Sequence, residues 1–84
     1  MLMKYAYLFS GLGADHRAFQ YLDVPGYAMI HVKWIEQEKN ETLERYVKRL
    51  AKQITMPNPV FIGLSFGGMV AIEVAKIVAT EKLF

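Results

Sequence analysis

The sequence predicts an α/β fold, a three-layer αβα arrangement with a short parallel sheet and elements in the order βαβαβα. Three observations predict it. Tyr5-Ala6-Tyr7-Leu8-Phe9 is apolar at every position and ends at Ser10-Gly11, the pattern of a strand buried on both faces. Leu43, Tyr46, Val47, Leu50, Ala51 and Ile54 recur on one helical stripe. The short apolar run Pro59-Val60-Phe61-Ile62 passes through a glycine-rich turn into a longer one, Met69 to Ala75, as a strand feeding a helix does. Alternating strands and helices imply right-handed crossovers and hence a parallel sheet.

After the first strand, Ser10-Gly11-Leu12-Gly13-Ala14 reads as a loop. Asp15 is placed to cap a short helix, His16 to Leu22, by accepting from its unpartnered N–H groups. Asp23-Val24-Pro25-Gly26 is a turn. Tyr27 to Ile35 is the second strand, with Ala28, Ile30, Val32 and Trp34 on one face and Met29, His31, Lys33 and Ile35 on the other. The second face is half polar, which marks an edge strand and gives His31 a surface position.

Glu36 to Asn40 is a polar connection, and Glu41 to Ile54 a helix with Asn40 as its N-cap. Glu41–Arg45 and Glu44–Lys48 are spaced four apart with the acid first, the favourable order, and the outer charges read as a solvated face. Pro57-Asn58-Pro59 stops the helix before the third strand. The final helix, Phe66 to Ala79, is apolar nearly all round, broken by Glu73 and Lys76, and so expects protein on most sides.

The first strand is the most hydrophobic and belongs in the centre, with the second on one side and the third on the other. The chain then reverses direction across the first strand. Ligand sites of open α/β sheets lie at such a switch point, at the carboxyl ends of the strands. Here those ends are the Ser10–Ala14 loop and Ser65.

Composition narrows the classes. The 84 residues suit a single domain, 1–84, and 54% are hydrophobic, which argues against disorder. Ten basic and eight acidic side chains are interspersed without a basic stripe, so nucleic acid is not indicated. Without cysteine there is neither a disulfide framework nor a thiolate metal site. The apolar run after Met1-Leu2-Met3-Lys4 is too short for a signal-peptide core, and no run is long enough to span a bilayer. The expected location is the cytoplasm. Tyr5, Tyr7, Tyr21 and Trp34 are read as core packing.

Gly63-Leu64-Ser65-Phe66-Gly67-Gly68 carries the chemistry. A strand-to-helix turn this tight presses the residues two before and two after the serine against neighbouring backbone, where glycine brings no Cβ. The serine is held at the tip, facing the carboxyl end of the sheet. N–H groups at the helix start lack helical partners and suit a developing oxyanion. This is the arrangement of a nucleophile elbow. A glycine-rich turn that only packs closely would place glycines the same way.

With the strand into Ser10-Gly11-Leu12-Gly13-Ala14-Asp15 and the strand into Gly63-Leu64-Ser65-Phe66-Gly67-Gly68, the chain resembles the first part of an α/β-hydrolase. Ser10-Gly11 stands where many members carry His-Gly. The resemblance implies Ser65 as nucleophile, Leu12 and Phe66 as backbone donors of the oxyanion hole, and Gly63 and Gly67 as elbow glycines. It implies hydrolysis of an ester, thioester or amide in a small-molecule acyl substrate through an acyl-enzyme, with no metal or organic cofactor.

The family's triad runs nucleophile, acid, histidine along the chain. The 19 residues after Ser65 contain no Asp and no His, and their acids are Glu73 and Glu81. Glu81-Lys82-Leu83-Phe84 looks like the start of the family's next strand. The expectation is an N-terminal part of a longer hydrolase, inactive by itself. His16 opens the first helix near the switch point; the expectation is that it lines or shields a pocket, the alternative being that it approaches Ser65 as a base, which needs both reach and an orienting partner.

Two alternatives remain open. Gly11-x-Gly13-x-x-His16 with Glu36 after the second strand half-resembles a dinucleotide fingerprint, although the third glycine is missing and Asp15 puts negative charge where a pyrophosphate rests. A non-catalytic remnant would instead bind a partner, or a second copy of itself, through an unpaired edge of the third strand beside the apolar helix.

Overall fold

The computed structural model describes residues 4–10, 24–64, 66–78 and 82–84. The loop 11–14, the helix expected over 16–22 and residues 79–81 lie outside them, as do Leu12, Asp15, His16 and Ser65.

The described chain is a small α/β unit. Strands β1 (Lys4–Phe9), β2 (Tyr27–His31), β3 (Val60–Gly63) and β4 (Lys82–Leu83) form one sheet in the order β2-β1-β3-β4, and every neighbouring pair is parallel. Helix α1 (Leu43–Leu50) lies between β2 and β3, and α2 (Phe66–Ala75) follows β3. As the hydrophobic ranking predicts, β1 is interior, with β2 and β3 on either side. Tyr7 stands opposite Ile30 in one direction and Phe61 in the other. All five residues of β2 are half-buried, as at a sheet edge.

Tyr7, Phe9 and Phe61 share one face and form the core with Val47 and Leu50 of α1 and Val70, Ala71 and Val74 of α2. Phe61 meets Phe9 and Tyr7 edge-on, at 5.1 and 6.2 Å between ring centroids. Burying Tyr7 leaves no orphan, because its hydroxyl accepts from the N–H groups of Thr55 and Met56, each at 3.2 Å. Ala6, Leu8 and Val60 alternate to the opposite face and are buried too.

Several boundaries differ from the sequence reading. The second strand ends at His31 rather than Ile35. Beyond it, side chains take up the backbone that a neighbouring strand would have paired. Gln53 accepts from the Lys33 N–H at 2.9 Å and donates to its carbonyl at 2.6 Å. The Tyr46 hydroxyl accepts from the Ile35 N–H at 3.2 Å and donates to its carbonyl at 2.8 Å.

Helix α1 starts at Leu43, and its cap is Thr42, not Asn40. Thr42 has extended backbone (φ −75°, ψ 158°), and its hydroxyl accepts from the Arg45 N–H at 3.2 Å. Asn40 is left-handed, φ 58°, which excludes the extended geometry that a cap needs. The helix gives way to a 3₁₀ turn at Ala51–Gln53. Leu43, placed on the buried stripe by periodicity, is 52% exposed.

Glu44 and Lys48 pair at 3.4 Å as expected, but Glu41 does not pair with Arg45. Glu41 precedes the helix and is nearly buried. It takes Arg49 in a two-pronged contact, 2.6 Å to each of Nε and Nη2. It also accepts from the Glu38 N–H at 3.0 Å.

Helix α2 ends at Ala75, and Met69 and Ile72 on it and Ile77 just beyond it are exposed. The third strand's far edge is not open. Parallel β4 pairs Lys82 with Val60 and Leu83 with Phe61, and the Gly63 N–H donates to the Phe84 carbonyl at 2.9 Å.

Candidate active site

The carboxyl ends of β1 and β3 lie side by side, with Phe9 in register with Gly63 and the Leu64 N–H donating to the Phe9 carbonyl at 2.9 Å. Because β1 connects to β2 on one side while β3 lies on the other, the described strand order has its switch point here.

Both flanking glycines are demanded by space. A Cβ on Gly67 would fall onto the carbonyl oxygens of Phe9 and Ser10, and 2.6 Å from the Phe9 carbonyl carbon. A Cβ on Gly63 would fall onto the Gly68 Cα and 2.8 Å from its nitrogen. The start of α2 is thus wedged between two strand ends, backbone against backbone, on either side of position 65. Gly68 is different, since a Cβ there would find its nearest neighbour, the Gly63 carbonyl carbon, at an ordinary 3.7 Å.

Phe66 is the first residue of α2, and the Gly67 N–H donates back to the Leu64 carbonyl at 2.9 Å. A first-turn N–H has no carbonyl one turn earlier to receive it, and among the described residues no acceptor meets that of Phe66. Of the other expected site residues, Ser65 and Leu12 lie outside the described residues, and His16 does too. Gly63, Phe66, Gly67 and the start of the first loop, Ser10, are brought together.

Four of the five described acids, Glu38, Glu41, Glu44 and Glu73, are ion-paired. Glu73 pairs with Lys76, just past the end of α2, at 3.0 Å. Glu41 stands near Phe66 across a cavity, but the Arg49 guanidinium hydrogen-bonded to it holds its carboxyl at about 2, so it stays ionised and paired at neutral pH. No group of three or more metal-ligating side chains occurs among the described residues. His31 is half-buried on β2. Glu36, the acid of the dinucleotide alternative, is an exposed residue whose carbonyl accepts from Arg49 at 2.9 Å.

The sequence reading missed a cavity of about 260 Å³ beside Phe66, between α1 and the segment leaving β2. Its signal was faint. Leu43 carries the helical period, but the chain leaving β2 reaches α1 through long-range contacts that periodicity does not show, from Tyr46 to Ile35 and from Arg49 to the Glu36 carbonyl. Nearby, Trp34 packs on Phe66 at 6.0 Å between centroids, and its buried Nε1–H has no acceptor among the described residues.

No helix among the described residues is long and apolar enough to cross a membrane. No protein-family model matches the chain, and no curated protein matches it.

Proposed function

We propose that the chain is part of a serine hydrolase of the α/β-hydrolase type. Ser65 is its nucleophile, the N–H groups of Phe66 and Leu12 form its oxyanion hole, and a small-molecule acyl ester, thioester or amide is its substrate. In this reading the fold is the three-layer βαβαβα arrangement, supported by burial of Ala6, Leu8 and Val60 on the face opposite α1 and α2.

One observation carries the proposal: Gly63 and Gly67 are both pressed against backbone at the carboxyl end of the central strands. A turn made only for packing needs glycine at the contacts but makes no demand on the residue between them. Here that residue is a serine, at the switch point of a parallel sheet. The serine hydroxyl attacks the acyl carbon, a base takes its proton, and the carbonyl oxygen collects charge in front of the helix start. No Asp or His follows Ser65 in the 84 residues, so the reading takes the acid and base from outside them.

The test is intact mass after exposure of folded protein to a fluorophosphonate probe, beside Ser65→Ala. The 84 residues alone should give no adduct. A product extended through its downstream coding sequence should give one, abolished by Ser65→Ala. A longer product that stays unlabelled, or is labelled elsewhere, overturns the reading.

A non-catalytic interaction surface is the second reading, favoured by the exposure of Met69, Ile72 and Ile77, at 64, 48 and 49%. Self-association through this side of α2 and the outer edge of β4 follows from it.

A further inference from the structure

The cavity beside Phe66 has a chemistry of its own. Most polar groups on its walls are already committed. The Glu41 carboxylate is held by Arg49 and the Glu38 N–H. The Thr42 hydroxyl caps α1, and the Tyr46 hydroxyl both donates to and accepts from Ile35. What remains to face an occupant is the hydrocarbon of Ile35 and Leu43 and the rings of Tyr46 and Phe66, with the Gln37 amide, which has no partner among the described residues.

We infer that this cavity is a binding site for an uncharged apolar group the size of one aromatic ring or a short alkyl chain. Size sets the upper bound. A dry cavity of about 150 Å³ holds a benzene ring, while drug-sized ligands occupy about 300–1,000 Å³. At about 260 Å³ the cavity has room for a ring with a short substituent. Charge sets the class. A carboxylate brought here would lose water and meet no free cation among the described wall residues, since Arg49 is spent on Glu41 and Glu38. Gln37 offers a neutral donor and acceptor to one polar atom of the occupant.

Phe66 links this site to the turn. Its ring is a wall of the cavity, and its N–H belongs to the residue directly after Ser65. That the occupant is the apolar arm of the substrate rests on the hydrolase reading; that the cavity binds such a group does not. A reversible binding measurement therefore separates the two, because it forms no bond to Ser65.

Trp34 is the sole tryptophan, and it packs on Phe66, so its emission reports occupancy. The probes are benzyl alcohol and benzoate, titrated into the 84-residue chain. Benzyl alcohol should shift Trp34 emission saturably, and benzoate should bind at least about tenfold more weakly, about 1.4 kcal/mol. Leu43→Arg and Gln37→Arg, at exposed wall positions, should each abolish the benzyl alcohol response while keeping the circular dichroism of the parent. A response that does not saturate overturns the proposal. So does one that survives both folded variants, or equal binding of benzoate. Fluorophosphonate labelling of the extended product without benzyl alcohol binding would sink the cavity and leave the nucleophile; binding with the extended product unlabelled would do the reverse.

Discussion

The two described helices pack on the same face of the sheet and are held in opposite ways. Helix α1 carries its own local supports. Thr42 caps it, Glu44 lies in its first turn, Lys48 and Arg49 lie in its last, and its outer face is ion-paired. Helix α2 has no acid in its first turn and no base in its last, where Glu73 stands instead, and is apolar around most of its circumference. Backbone contact places it, with Gly67 against the end of β1 and Gly63 against Gly68. A helix held by caps and a stripe tolerates drift in angle. One held at van der Waals distance through two glycines does not, and that is the helix whose start carries the proposed chemistry.

The largest effect that would break this contrast is at Gly67. Gly67→Ala should destabilise the fold by about 3 kcal/mol or more, because the methyl meets carbonyl oxygens that cannot retreat. Gly68→Ala, one residue on, should stabilise by up to about 1 kcal/mol through helix propensity. Urea midpoints read both; equal signs would show that the glycines do not mark a contact.

Next is the ion pair that anchors the approach to α1. The Glu41 carboxyl is held at about 2, below its ordinary 4.5, chiefly by its hydrogen bonds from Arg49. The unfolded state therefore takes up this proton first. Stability from the pair is present in full above pH 4.5 and is lost as pH falls from there through about 2. Thermal midpoints between pH 6 and pH 2 should fall more steeply for the parent than for Glu41→Gln. Parallel curves would mean that the pair adds nothing.

Thr42→Ala removes the cap of α1 and should cost about 1 kcal/mol, with no comparable single polar substitution available in described α2. The smallest change in stability belongs to the outer side of α2. Met69→Gln with Ile72→Lys should alter stability by no more than about 0.5 kcal/mol each, yet shift the sedimenting species toward monomer. Unchanged sedimentation would remove this face from the self-association reading.

Much of the fold was legible locally. An all-apolar run identified β1 as central, half-polar alternation identified β2 as an edge, and the Glu81–Phe84 segment read as a strand that β4 supplies at Lys82–Leu83. The errors came where a distant partner intervened. Gln53 and Tyr46 end β2 by taking its backbone groups, and Arg49 claims Glu41 across a turn that no helical spacing reveals. At the site, Gly63 and Gly67 were legible because glycine between a strand and a helix has few other reasons to recur at that spacing. The cavity was not, because its walls come from three separate stretches of chain.

By itself, then, the sequence determined the described strands and the helices α1 and α2, the central strand and the spacing about Ser65, since each follows from side-chain periodicity or from what a tight turn can accommodate. Tertiary structure alone decided that Thr42 rather than Asn40 caps α1, that β4 closes the edge of β3, and that a cavity opens beside Phe66. The reason is physical: hydrogen bonds, edge pairing and enclosed volume depend on which groups arrive from elsewhere in the chain, and only the folded chain brings them together.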